Sequence, residues 1–375
     1  MANRRILIRS HFPLHEENVK GGAERLMLNL AVALKQKSWD VDFLCPRISE
    51  KPSLPEGVTV YEFPYPSPKS PISKVINSLR GAKKFKEVEE SQEYDVVLDN
   101  ITPVPFYPLH FLSGEDTNNA AFIHVIYYGL AREFDGYLKG SVVSLFNHSI
   151  ALMNKPDIIC AGSSTERRIN SRLNYDRTSI INPCVDLDKF EYSFNQDSKT
   201  ILYLGRLGQR KNVQCLLRAW KTVEQQYPEY ELKIAGTGPA QEELEILASQ
   251  LGLENVEFLG FVSEEEKRRL MRESLLFVIP SIIEGYVTTG LEAMAAGTPV
   301  VGANAPGIHD YVKHGDNGLL FEKDDVDSLA TILGEAIANP ESLERISENG
   351  LETAEQHSFA AFRDQAHEVI ESLCD

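Results

Sequence analysis

Apolar and polar positions alternate along the first half of this chain in two rhythms. Short runs at Ile6–Arg9, Val41–Cys45, Thr59–Phe63, Asp95–Asp99, Ala121–His124, Ile158–Ala161 and Ser179–Ile181 have the length and β-branched content of strands. Between them, Gly22–Gln36, about Ile72–Glu90, Val142–Met153 and Thr165–Leu173 carry the helical spacing. Strands that alternate with helices predict a parallel, doubly wound α/β sheet. Pro64–Pro71 holds four prolines and reads as a loop.

The pattern then resets. Strands are expected at Ile201–Leu204, Glu231–Ala235, Val256–Leu259, Leu276–Ile279 and Pro299–Gly302. Helices are expected at Val213–Gln226, Ala240–Leu251, Glu264–Glu273 and Gly290–Ala296. The polar stretch Asn182–Lys199 reads as a linker, and Phe359–Leu373 as a last helix. The expected organisation is two Rossmann-like domains, residues 1–185 and 186–357, facing a cleft, with 358–375 as a closing helix. Ligands of such folds bind at the C-terminal ends of the strands.

Composition narrows the class. A chain of 375 residues exceeds one core and suits two domains. The five cysteines show no paired spacing, which points to a reducing, cytoplasmic setting with neither a disulfide framework nor a zinc site. No apolar run is long enough to span a bilayer. Residues 1–190 hold 23 basic and 23 acidic residues, so the whole net charge of −17 falls on the remainder. That argues against a nucleic-acid partner. Ile72, Val75, Ile76 and Leu79, among Lys74, Arg80, Lys83, Lys84 and Lys86, could form a membrane-surface helix. Gly81 interrupts that stripe and Lys83 falls on its apolar side, so an ordinary surface helix is the plainer reading.

The candidate chemistry gathers at strand ends. Glu284 and Glu292 stand eight apart across a strand end, a glycine turn and a helix start, Gly285-Tyr286-Val287-Thr288-Thr289-Gly290. Thr288 or Thr289 is expected to cap that helix, whose N-terminus suits a phosphate, while the carboxylates suit sugar hydroxyls. Gly205-Arg206…Lys211 places two cations after another strand, where they can neutralise a diphosphate leaving group; a solvated basic loop is the alternative. Gly21-Gly22 lets backbone approach a phosphate, and Gly236-Thr237-Gly238 could shape the nucleotide pocket; each also reads as a plain turn. His124 ends a strand, as sugar ligand or as core histidine. His11 and Asp99 are weaker candidates of the same kind.

These motifs, with Asn182-Pro183…Val185-Asp186…Phe190 and Gly315-Asp316-Asn317-Gly318-Leu319-Leu320, fall in the order seen in the family 4 retaining glycosyltransferases, which this chain resembles over nearly its whole length. The resemblance implies the GT-B arrangement, with the first domain binding the acceptor, the second the donor, and the last helix crossing back to the first domain. It implies that Arg206 and Lys211 bind the donor diphosphate, that Glu284 meets the sugar and Glu292 the ribose, and that His124 lies by the sugar. Val287, Thr288 and Thr289 would meet the phosphates, and Gly21 and Gly22 would close over the same site.

The chain departs from the family pattern at three places. Gly285-Tyr286-Val287-Thr288 stands where Gly-Phe-Gly-Leu is usual, Asn212 replaces a glycine after the lysine, and Ala305-Pro306-Gly307 replaces a Gly-Gly pair. The expected activity is transfer of a hexose from a nucleotide sugar to a glycan or lipid-linked acceptor, with no cofactor or metal and with peripheral membrane contact through the first domain. A nucleotide-sugar epimerase and a non-catalytic nucleotide-sugar binder are the alternatives.

Overall fold

The computed structural model describes residues 3–10, 22–47, 56–64, 71–101, 118–126 and 157–374. They divide into two compact units, Met1–Pro183 with Phe359–Asp375, and Cys184–Ser358. The expected helix Val142–Met153, Gly21 and His11 lie outside the described residues.

In the first unit the strands are β1 (Arg5–Arg9), β2 (Asp40–Arg47), β3 (Thr59–Pro64), β4 (Val96–Ile101), β5 (Asn118–Ile123), β6 (Asp157–Cys160) and β7 (Thr178–Ile180). They form one parallel sheet in the order β3-β2-β1-β4-β5-β6-β7. Ile6, Leu7 and Ile8 are fully buried, as expected of a parallel strand covered on both faces. Helix α1 (Gly22–Gln36) buries Leu26, Met27, Leu30, Ala31 and Leu34, a helical stripe.

Helix α2 (Pro71–Ser91) runs unbroken through Gly81. A Cβ there would meet the Phe63 ring at 3.1 Å, so the glycine permits close packing on β3 and does not interrupt the helix. The buried face is Ala82, Phe85 and Val88, and Lys83 and Leu79 are both exposed. Helix α3 is Ser163–Leu173.

The second unit holds β8 (Thr200–Leu204), β9 (Glu231–Ala235), β10 (Val256–Gly260), β11 (Leu276–Ile279), β12 (Val300–Ala303) and β13 (Leu319–Phe321), parallel and ordered β10-β9-β8-β11-β12-β13. Its helices are α4 (Val213–Gln226), α5 (Gln241–Leu251), α6 (Glu264–Glu273), α7 (Thr288–Ala296), α8 (Val326–Ala338) and α9 (Leu343–Gln356). Helix α8 packs on α4 and α9 on α7. The short strand β13 and helices α8 and α9 are additions to the elements expected from the pattern.

Helix α10 (Phe359–Ser372) belongs to the first unit and packs on α1. Phe362, Ala366 and Ile370 are its buried residues. Ion pairs Lys37–Asp364 (2.9 Å) and Arg4–Glu371 (2.8 Å) border the contact, and both are part-exposed, so the apolar burial dominates. In each sheet the chain direction of crossover reverses beside the first strand: between β1 and β4 in one unit, and between β8 and β11 in the other. Loops leaving those strands therefore diverge and leave room for a ligand.

Candidate functional site

In the second unit the loops after β8 and β9 are locked backbone to backbone. Gly205 N–H donates to Ala235 O, Leu207 N–H to Thr237 O and Ala240 N–H to Leu207 O. A Cβ on Gly236 would lie 2.0 Å from Gly205 O, and one on Gly238 would lie 2.1 Å from Leu207 O. Gly236 also has φ +126°, so a side chain there meets both a clash and a backbone penalty. The turn thus supports the loop that carries Arg206. The Tyr203 hydroxyl donates to Arg206 O at 3.3 Å from below. Arg206 itself is exposed and makes no ion pair among the described residues.

Lys211 ends a one-turn 3-10 helix, Gln209–Lys211, and Asn212 follows at φ +51° with no exposure. That is the left-handed region, which explains why glycine is usual there and why asparagine can replace it. The Asn212 amide donates to Asp324 Oδ1 at 2.9 Å, holding the turn in place. Lys211 Nζ lies 2.8 Å from Glu284 Oε1. Glu284 is buried, and burial alone would raise its pKa. The charges of Lys211 and Arg210, with hydrogen bonds from Lys211 and Ser281, outweigh burial and hold the carboxyl below its usual range. Gly307, at φ +79°, packs against the Glu284 backbone; a Cβ would stand 2.5 Å from the Glu284 carbonyl oxygen. So the Ala305-Pro306-Gly307 departure retains a glycine where the approach requires one.

Helix α7 begins at Thr288, with Val287 as the capping residue and no side-chain cap. The expectation that Thr288 or Thr289 caps the helix is corrected: both lie within its first turn. Their backbone N–H groups belong to the set that has no partner inside a helix. Val287 sits at φ −107°, ψ 91°, an extended conformation open to any residue, so the Val-for-Gly departure imposes no backbone strain. The turn is held from behind by Tyr311, whose buried hydroxyl donates to Val287 O at 2.9 Å. A Cβ on Gly290 would lie 2.1 Å from that hydroxyl. Tyr286 stacks on Tyr311 at 5.1 Å between ring centres and bonds His357 Nε2 at 2.6 Å, while His357 Nδ1 meets Thr353 O at 2.8 Å. The carbonyl can only accept, so Nδ1 is protonated and Tyr286 donates.

Glu292, on the second turn of α7, is held by a different lysine. Lys267 Nζ lies 3.0 Å from Glu292 Oε2 and 2.8 Å from Glu264 Oε2, and Lys267 is buried. Burial alone would lower its pKa; Glu292, then Glu264, outweigh this and hold it above the ordinary value. Lys267 and Tyr311 were not singled out from the sequence. Lys267 sits in the run Glu264-Glu265-Glu266-Lys267-Arg268-Arg269, which looks like a solvated face, and only the fold buries one of its cations.

Among the described residues at the strand ends of the first unit, Ser10, Asn100 and His124 are uncharged. Arg9 and Asp99 are cross-strand neighbours and form a buried, bidentate ion pair, with the Arg9 guanidinium 4.2 Å over the Phe85 ring. Asp99 thus lies within β4 and is engaged by Arg9, a correction to its reading as a residue that follows a strand. His124 comes directly after β5, and its Nε2 lies 2.6 Å from Asn100 Oδ1. Burial pushes its pKa down to about 4. Gly22 is the first, exposed residue of α1.

Residues 185–353 match the family Glycosyl transferases group 1, and residues 20–189 match Glycosyltransferase Family 4. The chain is 26% identical to an uncharacterized glycosyltransferase of Haemophilus influenzae, over 90% of this chain and 93% of the relative. It is 39% identical to an uncharacterized glycosyltransferase of Methanocaldococcus jannaschii over 36% of this chain and 34% of that one. Among solved structures it is similar in fold to sucrose-phosphate synthase of Thermosynechococcus elongatus, with TM-score 0.81, 18% identity and 99% of each chain covered. Anabaena HepE, solved with UDP and glucose, gives TM-score 0.74 at 20% identity, with 99% of this chain and 100% of that one covered. Two parallel α/β units of the GT-B kind, with both family matches in order along the chain, lead to one conclusion: this protein belongs to the family 4 glycosyltransferases.

Proposed function

We propose that the chain moves a hexose from a nucleotide diphosphate sugar to an acceptor hydroxyl with retention at the anomeric carbon and without a metal. The observation that carries this reading is the Lys211–Glu284 pair set four residues ahead of the uncapped N-terminus of α7. Lys211, Arg206 and the first-turn N–H groups of Thr288 and Thr289 then stabilise the diphosphate as it gains charge. Glu284 contacts the sugar hydroxyls and Glu292 the ribose. Glu284 is not cast as a nucleophile, because its carboxylate is already committed to Lys211. In the same-face step the bond from the anomeric carbon to the phosphate oxygen breaks, the acceptor oxygen bonds to that carbon, and its proton passes to the leaving phosphate.

Anabaena HepE binds UDP and glucose, which makes a UDP-hexose the first donor to try. A glycan or lipid-linked acceptor met at the cytoplasmic face of a membrane fits the family and the exposed Lys83 beside Leu79 on α2. No helix among the described residues is long and apolar enough to cross a membrane.

The test is to incubate the protein and a panel of acceptors with UDP-, GDP- and ADP-hexoses in excess EDTA. Nucleotide release and the product's anomeric configuration are followed by NMR. Acceptor-dependent release with retention supports the reading. Inversion, or activity restored only by a divalent cation, contradicts it.

A further inference from the structure

The first sheet aligns three polar residues that no other part of the account uses together. Arg9 pairs with Asp99 across β1 and β4, so Ser10 and Asn100, the next residue of each, come side by side on the opposite face. Asn100 in turn is the register partner of Phe122 on β5, and His124, two residues on, falls on the same face. The contacts follow this geometry. Asn100 Nδ2 donates to Ser10 Oγ at 3.3 Å, and Asn100 Oδ1 lies 2.6 Å from His124 Nε2. Ser10 is itself pinned, its amide donating to Leu44 O at 2.9 Å. Asn100 is buried to 1% exposure, so its amide has little freedom to turn.

We propose that Asn100 is a positioning residue that fixes His124 as the tautomer protonated on Nε2, leaving Nδ1 with a lone pair for a substrate hydroxyl. A 2.6 Å separation fits an N–H···O bond at its short end and is too close for the N–H···N contact of a flipped amide. Burial also keeps the imidazole neutral at ordinary pH. A neutral ring with a lone pair on Nδ1 accepts from a hydroxyl and repels a phosphate oxygen, which can only accept. His124 therefore reads a sugar or acceptor hydroxyl and takes no part in holding the diphosphate. The tautomer stands on the sheet geometry alone; its effect on rate rests on the transferase reading.

The test is long-range 15N–1H NMR of the full-length, histidine-labelled protein, whose Nδ1 and Nε2 shifts report the tautomer directly. Wild-type protein is expected to show His124 protonated on Nε2. Asn100→Asp keeps an acceptor and should keep the tautomer and most of the turnover. Asn100→Leu should release the tautomer and lower kcat/KM by about tenfold, with nucleotide affinity unchanged. A wild-type His124 protonated on Nδ1 would overturn the proposal even if Asn100→Leu cannot be folded. So would an Asn100→Leu protein that keeps both tautomer and rate. If no nucleotide sugar binds the wild-type protein while the Nε2-protonated form is observed, the transferase reading fails and the tautomer assignment stands.

Discussion

The two units repeat one topology and equip its strand ends in opposite ways. In the first, the described groups at the ends of β1, β4 and β5 are Ser10, Asn100 and His124, joined by uncharged hydrogen bonds, and the Arg9–Asp99 pair is turned toward α2. In the second, the corresponding ends carry Arg206, Lys211 and Glu284, with Lys267 and Glu292 on the flanking helices. The second unit also bears most of the excess of acid, yet the side chains at its β8 end are cations. A sheet that must hold a diphosphate needs charge and bare N–H groups, and one that reads hydroxyls needs neutral donors and acceptors of defined direction. On the proposed reading the same scaffold supplies both, because its strand-end loops vary independently of its core.

The sharpest way to break the contrast is Lys211→Ala. It removes a cation from the leaving group and leaves the buried Glu284 without its nearest charge. Turnover is expected to fall by about 10²–10³-fold, read from initial rates at saturating donor. A comparable loss from removing any first-unit side chain, with none here, would reverse the assignment.

Glu292→Ala should act on binding more than on turnover. Donor Kd is expected to rise about tenfold or more by calorimetry, with kcat little changed. Lys267→Met should weaken binding less, since Glu292 remains but loses its orienting partner. An unchanged Kd in Glu292→Ala contradicts the ribose role.

Stability should also divide by unit. Gly290→Ala places a methyl group against the Tyr311 hydroxyl, at a cost of roughly 1–3 kcal/mol and a lower Tm. A Tm within a degree of wild type would show that Tyr311 moves freely and does not hold the turn.

The smallest effect is on pH. His124 has a folded pKa of about 4 against an ordinary 6.5, so the folded state binds fewer protons than the unfolded one between those values. Its contribution is full above pH 6.5 and is lost as pH falls toward 4. Glu284, held below 4.5, keeps its contribution until lower pH. Acidification should therefore perturb the first unit before the second, which residue-resolved NMR across pH 7 to 3 would show. A His124 midpoint near 6.5 would contradict its burial.

Much of the fold was legible because parallel strands declare themselves as short apolar runs: Ile201–Leu204 and Leu276–Ile279 appear almost as drawn. Strand β13 is three residues long and overlaps the Gly315–Leu320 motif, and four glutamates interrupt the apolar pattern of α9, while α8 carries a plain helical stripe of Leu329, Leu333, Ala336 and Ile337. The position of Lys211 could be read from spacing, but its pairing with Glu284 could not, since it depends on two loops meeting. Lys267 and Asn100 were hidden for the same reason. One looks like a surface charge and the other like a strand residue, and only register and burial show what each touches.

The most direct measurement is calorimetric titration of the full-length protein with UDP, GDP and ADP in EDTA, beside Arg206→Ala. Arg206 is exposed, so its removal should leave the fold intact. The account predicts that one nucleotide binds and that the substitution weakens it at least about tenfold. Binding by none of the three, or binding indifferent to Arg206, would contradict a donor site at the strand ends of the second unit.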